Sequence, residues 1–328
     1  MKNTPEMKQM DKTVASKRET DGLAPVALFV YRRLSATKET VNCLQANDWA
    51  EHTPLYIFSD GGRDEESWAD VHRVREYLHT IGGFASVTII ERECNYYLEE
   101  NILQGIAYVL ARYDRIIVVE DDVCTSPVFL YYMNDALRRY AHEPRVMHVS
   151  AFTNLSVPEY GEIYFTPHMS GWGWGTWRDR WQHFRHYTSR HEALEGLTAE
   201  DQDRMQYGGA FPCLQSLDRQ PIPWDICWEI AIYRQGGLCV SPTHTLVRNI
   251  GIGEGTHFRS NRLFGWYEYD RPVRTEPVTF PLIPIQPNDE IEQTYARALH
   301  DHGMRYNLLG RMARSVYRTC KRLLGHLG

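Results

Sequence analysis

The feature that most constrains this chain is a short apolar stretch that runs directly into three carboxylates. Residues 115–123 have the sequence Arg-Ile-Ile-Val-Val-Glu-Asp-Asp-Val. Four consecutive β-favouring residues bounded by charge predict a strand buried on both faces, as in a parallel sheet. Glu120, Asp121 and Asp122 cannot lie inside such a sheet, because a buried, unpaired carboxylate is costly or takes up a proton. We therefore expect them at the carboxyl end of the strand, where open α/β sheets bind ligands.

Clustered carboxylate oxygens at this position predict a site for Mg2+ or Mn2+, and such a cation commonly holds phosphates. The alternative is a solvated acidic turn, which is a common feature of protein surfaces. Pro127 follows closely and is typical of a helix start. An apolar strand, an acid cluster and a helix start in immediate succession favour the metal site.

The rest of the N-terminal half predicts an α/β fold with a doubly wound parallel sheet. Strands are predicted at residues 25–31, 55–59 and 85–90, and each is followed by a helical stretch. The first helix is expected near Ser35, as its N-cap. Arg33 and Asp60 then fall at the same sheet edge as the acids, where Arg33 could meet a phosphate and Asp60 a base or ribose. Taken singly, they could equally be a surface charge and a turn residue before glycine.

The C-terminal half contains several motifs with two open interpretations. Residues 167–181 hold four of the nine tryptophans between glycines, which suits either a sugar-binding surface or a tryptophan-rich core. Residues 187–223 predict short helices or a mobile region. A helix is predicted to start at residues 223–225 and to end at Gly236, with Asp225 in its first turn as a possible cap or dipole partner. Residues 249–257 form a glycine-rich loop whose amides could cradle phosphate, and residues from 290 onward are expected to be helical.

Composition and charge exclude several classes of protein. The chain has 328 residues, 43% hydrophobic and 24% charged, which suits one large domain or two closely joined ones. A formal net charge of -6 gives no reason to expect nucleic acid as a partner. Seven cysteines without a CxxC pair predict free thiols and a reducing cytosol. Residues 1–22 predict a disordered tail, not a signal peptide, and no apolar run is long enough to predict a membrane span.

Taken in order, the motifs resemble a known family over most of residues 25–260. The matching segments are Tyr31-Arg32-Arg33, Phe58-Ser59-Asp60-Gly61, Val118-Val119-Glu120-Asp121-Asp122, Ser170-Gly171-Trp172-Gly173-Trp174, Pro223-Trp224-Asp225 and residues 249–257. This set is similar to the GT-A-fold nucleotide-sugar glycosyltransferases, and within them to the N-acetylglucosaminyltransferase I-like group and its bacterial relatives. The resemblance implies a nucleotide-sugar-binding half at 23–150, an acceptor half at 151–290 and a C-terminal helix at 291–328.

The resemblance also implies roles for individual residues. Asp122 would ligate Mn2+ or Mg2+, and Asp225 would be the general base. The nucleotide-sugar donor would be contacted by Arg33 at the phosphates, Asp60 at uracil, Glu120 and Asp121 at ribose and sugar, Asn101, Trp174, and Thr256 with His257 over the diphosphate. The acceptor or sugar pocket would include Gly171, Trp172, Trp224 and Glu229. Glu229 stands where the animal enzymes have a basic residue, which weakens an assignment of N-acetylglucosamine as the donor sugar.

The function implied is inverting, metal-dependent transfer of a hexosyl or N-acetylhexosaminyl group from a nucleotide sugar, expected to be a UDP-sugar. The acceptor would be a glycan or lipid-linked saccharide in bacterial polysaccharide, lipopolysaccharide or glycoconjugate synthesis. A sugar-1-phosphate nucleotidyltransferase is an alternative, although residues 31–35 lack the glycine-rich phosphate loop it needs. A non-catalytic carbohydrate-binding protein would explain the tryptophans but not the acid triplet.

The C-terminal residues 303–328 predict a basic amphipathic helix. The apolar positions at three- and four-residue steps are Leu308, Met312, Val316, Cys320, Leu323 and Leu327, and basic residues fill the other faces without any acid. Such a helix can bind an anionic membrane surface, with roughly 1 kcal/mol from each basic residue, and would place a cytoplasmic enzyme peripherally on the inner face of the cell membrane. The alternative is a terminal helix that packs on the sheet domain.

Truncation after His302 should release the protein from anionic liposomes without unfolding it, and high salt should have the same effect because it screens the attraction. Liposome sedimentation and a thermal melt measure the two properties. An insoluble truncated protein, or one that melts far below the full chain, would place the helix in the core and exclude the membrane role.

Overall fold

The structure is a computed structural model that describes residues 22–153, 156–251 and 272–301. Several sequence predictions fall outside these ranges. They concern Thr256 and His257, most of the glycine-rich loop, the N-terminal tail and the helix at 303–328.

Four parallel strands form the N-terminal half of the sheet. They are β1 (Val26–Val30), β2 (Pro54–Ser59), β3 (Ser86–Glu91) and β4 (Arg115–Glu120), and they lie in the order β3-β2-β1-β4. Three helices connect them: α1 (Leu34–Gln45), α2 (Glu65–Leu78) and α3 (Tyr97–Leu110). All pairs among these strands are parallel, so their carboxyl ends meet at one edge. The predicted strand-helix alternation is confirmed.

The N-cap of α1 is Arg33, so the prediction of Ser35 at that position was wrong. Ser35 lies in the first turn, and the side chain of Arg33 makes no capping hydrogen bond. The physical reason is that this guanidinium is paired with the acids of the neighbouring strand end. Position 33 therefore begins the helix through its backbone while its side chain serves the sheet edge.

Alternate residues of β1 enter two different cores, which explains why the strand is apolar throughout. Val26, Leu28 and Val30 pack on the face covered by α1, α2 and the next helix, α4 (Phe129–Arg139). Ala27 and Phe29 pack on the opposite face, with α3. A strand buried on both faces leaves polar side chains room only at its ends.

The C-terminal half extends the sheet with four more strands. They are β6 (Val146–Ser150), β7 (Ile163–Thr166), β8 (Trp174–Trp177) and β9 (Leu238–Pro242), and the full order is β3-β2-β1-β4-β8-β6-β9-β7. Strands β7 and β8 run antiparallel to their neighbours. A separate ribbon pairs β5 (Val123–Thr125) with β10 (Val247–Asn249). The predicted fold class, an α/β fold with a mostly parallel sheet flanked by helices, is confirmed.

Short helices cover the C-terminal half. They are α5 (Arg178–Trp181), α6 (Arg190–Leu194), α7 (Ala199–Met205), α8 (Trp224–Arg234) and 3-10 turns at Pro158–Tyr160 and Cys213–Asp218. A further 3-10 turn, Ala50–His52, precedes β2 in the N-terminal half. The short helices predicted in 187–223 are thus confirmed, and Gly236 follows α8 with a φ of +57° as the predicted end. Residues 289–301 are helical. Among the described residues, no helix combines the length and apolarity that a membrane crossing requires.

Candidate active site at the carboxyl edge of the sheet

The three predicted acids lie at the end of β4. Glu120 is its last residue, and Asp121 and Asp122 form the turn before β5. Arg33 binds both aspartates: it forms an ion pair with Asp121 and approaches Oδ2 of Asp122 to 2.9 Å. The hydroxyl of Thr40 donates to the backbone carbonyl of Asp121 at 2.9 Å. The end of β1 and the start of α1 therefore hold the acid turn in place.

The electrostatics of the turn favour an additional cation. Burial, together with the charges of Asp122 and Asp121, raises the pKa of Glu120 to about 8. Burial also raises the pKa of Asp121 to about 6, although the Arg33 guanidinium opposes this increase. The Oδ2 atom of Asp121 is buried without a hydrogen-bond partner among the described residues. One guanidinium thus neutralises the three carboxylates only in part.

A backbone segment distant in sequence fixes the position of Asp122. Asn249 pairs with Val123 in the β5–β10 ribbon, and the N–H of Ile250 donates to the carbonyl of Asp122 at 2.7 Å. Gly251 follows so closely that a Cβ atom there would overlap the Asp122 carboxylate. A larger residue at 251 would therefore displace the Asp122 carboxylate and the Arg33 guanidinium from their present positions.

Asp60 follows β2 and organises the neighbouring loop. Its Oδ1 accepts hydrogen bonds from the N–H of Gly61 at 2.9 Å and of Tyr96 at 2.7 Å, and its Oδ2 accepts from the Asn95 amide at 3.0 Å. The carboxyl is nearly fully buried, and burial raises its pKa. Asp60 lies at the predicted edge, and two of the three hydrogen bonds it accepts hold the loop between β3 and α3.

Two groups of residues that the sequence predictions missed surround Asp60. The first is a stack in which the Arg63 guanidinium lies 5.8 Å from the Tyr31 ring and 4.7 Å from the Tyr97 ring. Tyr97 is 61% exposed and has a φ of +61°, a backbone conformation that residues other than glycine rarely adopt. Strained residues that carry exposed rings concentrate at functional sites. Arg63 follows β2 in the chain and Tyr97 follows β3, and the sequence alone could have identified both positions as ones that follow strand ends.

The second group is centred on Arg92, directly after β3. Its guanidinium lies 4.7 Å from the Tyr96 ring, and its Nε donates to Oδ1 of Asn101 at 3.0 Å. Asn101 is buried and also donates to the carbonyl of Phe58 at 3.3 Å. The structure therefore places Asn101 behind the edge, where it orients Arg92.

Asp225 reaches the acid cluster from the other half of the chain. It is exposed in the first turn of α8, and its Oδ1 accepts from the N–H of Ile226 at 2.8 Å. Its charge acts on Glu120, whose pKa it raises, and on Glu99 at the start of α3. Asp225 therefore lies near enough to the acid turn for their charges to interact.

The tryptophans divide between the core and a cavity. Trp174 is fully buried and stacks on Trp224, with ring centroids 5.4 Å apart. The structure therefore places Trp174 behind Trp224, in the core between the sheet and α8. Gly171, Trp172 and Glu229 line a cavity of about 310 Å³ on the far side of this core.

The donor set of the turn fits a divalent cation held partly by a ligand. The described residues contain no group of three or more metal-binding side chains. Mg2+ and similar ions are often bound by one or two carboxylates, with substrate phosphates and water completing the shell. Asp122 and Glu120 provide carboxylates of this kind.

Comparisons with other proteins add little to this geometry. No protein-family model matches the chain, and no curated protein sequence matches it. The similar solved structures include a mannosyltransferase from Pyrobaculum calidifontis in complex with GDP-mannose and Mn2+. The two chains share 12% identity with a TM-score of 0.38, over 69% of this chain and 76% of that one. A similarity this slight carries no argument about function.

Asp60→Ala should lower the free energy of unfolding by about 1–3 kcal/mol, because it leaves the N–H groups of Gly61 and Tyr96 without their acceptor. Equilibrium denaturation in urea measures the change. The matched control is Asp70→Ala, which removes a surface carboxylate paired with Arg73 and should change the stability by less than about 0.5 kcal/mol. Equal stabilities for the two variants would show that Asp60 does not organise the loop.

Proposed function

We propose that this protein is an inverting glycosyltransferase that binds a nucleotide-sugar donor at the carboxyl edge of β1, β2 and β4. One observation carries the proposal: three carboxylates, two of them paired with Arg33, lie at the end of β4, and Asp225 in α8 is near enough for its charge to act on Glu120. A cation-binding acid turn at the edge of a parallel sheet suits a nucleoside diphosphate. A separate carboxylate opposite that turn suits a general base.

Different residues of the edge contact different parts of the donor. Arg33 contacts the diphosphate, Asp60 and the stacked Tyr97 contact the base, and Glu120 and Asp121 contact the ribose and sugar. Asn101 and Trp174 do not contact the donor directly: Asn101 positions Arg92, and Trp174 positions Trp224. Thr256 and His257 are proposed on the sequence alone to close over the diphosphate. UDP is the proposed nucleotide, because the motifs of the edge resemble those of UDP-sugar enzymes.

Asp122, with Glu120 beside it, would hold Mn2+ or Mg2+. The cation supplies charge stabilisation for the departing nucleoside diphosphate. In the reaction, an acceptor hydroxyl attacks the anomeric carbon, Asp225 takes the hydroxyl proton, and the bond from the anomeric carbon to the diphosphate oxygen breaks. Because attack and departure occur on opposite sides of that carbon, its configuration is inverted.

The proposed acceptor is a glycan or lipid-linked saccharide, taken up on the side of Gly171, Trp172, Trp224 and Glu229. Bacterial polysaccharide synthesis and association with the inner face of the membrane are proposed from the sequence motifs and from residues 303–328. The GT-A assignment fits the observed sheet, and the narrower likeness to the N-acetylglucosaminyltransferase I-like group rests on the sequence motifs alone. Sugar-1-phosphate nucleotidyl transfer is the rival chemistry. Product analysis distinguishes the two, since a transferase releases nucleoside diphosphate from a nucleotide sugar, whereas the rival enzyme releases pyrophosphate from a nucleoside triphosphate and a sugar 1-phosphate.

Asp122→Asn should abolish release of nucleoside diphosphate, because it removes a charged ligand from the proposed cation site while it preserves the shape of the side chain. Chelation with EDTA should have the same effect on the wild type, and added Mn2+ should reverse it. Titration of Mn2+ followed by electron paramagnetic resonance measures binding independently of activity. Asp135→Asn, which neutralises an acid paired on the surface with Arg139, is the control and should bind Mn2+ normally. Full activity in EDTA would exclude the metal role.

Asp225→Asn should lower kcat by roughly 10²–10⁴-fold with little change in donor affinity, because a general base acts in the transition state. Steady-state kinetics and donor titration measure the two quantities. If Asp225 only stabilises the start of α8, the same variant should keep its turnover and lose about 0.3–1 kcal/mol of stability. A melt of the same preparation separates these outcomes.

A further inference from the structure

The cavity beside α8 has the size and the walls of a small-molecule site. Its volume of about 310 Å³ is at the lower end of the roughly 300–1,000 Å³ typical of ligand pockets. Strands β6, β7 and β9, helix α8 and the helix at 289–301 contribute its lining. It lies apart from the acid turn and contains groups that the proposed reaction does not use.

A chain of hydrogen bonds holds one carboxylate at the wall. Nδ1 of His168 lies 3.0 Å from Oε1 of Glu229 and must donate, because a carboxylate only accepts. Nε2, the other ring nitrogen, lies 3.3 Å from the Tyr233 hydroxyl. This chain uses Oε1 of Glu229 and leaves Oε2 as an acceptor at the cavity.

A buried hydroxyl is available in the same wall. Ser150 is 1% exposed and lines the cavity, and its Oγ has no hydrogen-bond partner among the described residues. Buried hydroxyls are normally satisfied, and each exception calls for an explanation. A ligand that can both donate and accept hydrogen bonds would satisfy Ser150 and Glu229 together.

Aromatic faces complete the walls. The Tyr207 ring stacks on His168 with centroids 3.9 Å apart and on Tyr295 at 5.1 Å. Tyr207 has a φ of +50°, and the two glycines that follow it also have positive φ values. A strained tyrosine backbone persists only where surrounding contacts impose it, so the ring is held at the cavity at an energetic cost.

The charge of the cavity does not favour anionic ligands. Glu292, its second carboxylate, is held by Arg204 through two hydrogen bonds of 3.0 Å, whereas Glu229 contacts only the ring of His168 among the described residues. Within the described part of the chain, the lining contains two carboxylates and no lysine or arginine. It therefore provides no permanent positive charge to bind phosphate, nucleotide or uronate ligands.

We infer that this cavity binds a neutral pyranose unit of the acceptor, with sugar hydroxyls on Glu229 and Ser150, beside the wall that the stacked rings of Tyr207 and Tyr295 form. This inference rests on the proposed function, whose acceptor it names. Helix α8 links the two sites: Glu229 follows Asp225 by four residues, so the two side chains are on one face of the helix, with Cβ atoms roughly 5–6 Å apart. A sugar in the cavity would sit one helical turn from the proposed base.

The experiment measures binding of methyl hexopyranosides to the full chain by saturation-transfer difference NMR. The neutral probes are the methyl glucoside, galactoside and mannoside, and the charged probes are methyl glucuronide and glucosamine. At least one neutral probe should bind the wild type. Its affinity should fall at least tenfold in Glu229→Gln and in Tyr207→Ala, whereas Tyr207→Phe retains the ring and should retain binding.

Glu290→Gln is the matched control, because Glu290 is exposed on the neighbouring helix, and this variant should bind like the wild type. Thermal melts identify any variant that fails to fold, and Glu229→Gln still decides the question if Tyr207→Ala does. Absence of neutral-probe binding, equal binding by Glu229→Gln, or preference for a charged probe would overturn the inference. Donor hydrolysis by the wild type with Mn2+ is measured separately, so a failure of the proposed function is distinguishable from a failure of the cavity to bind sugar.

Discussion

Three carboxylates at the end of a strand buried on both faces are the constraint on which the rest of the site depends. The sheet cannot accommodate these charges, and they emerge where β4 ends and are met there by the guanidinium of Arg33. That pairing determines how α1 begins, because the residue at its N-cap position uses its side chain for the acids. The pairing does not neutralise the acid turn completely, since one guanidinium faces two aspartates and Glu120, whose pKa is raised. The chemistry proposed for the edge follows from this residual charge.

Helix α8 positions the proposed functional acids of the second half of the chain. Its buried residues, which include Trp224 and Trp228, anchor it in the core, and its remaining positions carry Asp225 and Glu229. The rigid core behind the helix fixes the spacing between these two acids. The glycine and tryptophan segment therefore divides between two surroundings, and a sugar-binding role for it stays a prediction. Trp174 belongs to the core, and Trp172 lies at the cavity.

Local sequence was sufficient to predict the parallel half of the sheet, since β1 to β4 are apolar runs between clear helix signals. It was also sufficient to place Arg33, Asp60 and the acids at one edge, because parallel strands bring their carboxyl ends together. It failed for β8, where Trp-Gly-Thr-Trp lacks a strand pattern. Gly175 in that strand lies against the carbonyl of Ile116, a tertiary contact that no local pattern reports. The Arg63–Tyr97 contact and the His168–Glu229 pair were missed for the same reason, because their partners are distant in sequence.

The contact between Gly251 and Asp122 has a consequence for how the protein is made. The acids belong to the first half of the chain, and the backbone that fixes the last of them belongs to β10 and the residue pair after it. During synthesis, the N-terminal strands can assemble early, but Asp122 acquires its final surroundings only when Gly251 has left the ribosome. The site is thus completed only after β10 has been synthesised, well after the acids themselves. A chain released early would carry all three acids and lack the backbone that sets their arrangement.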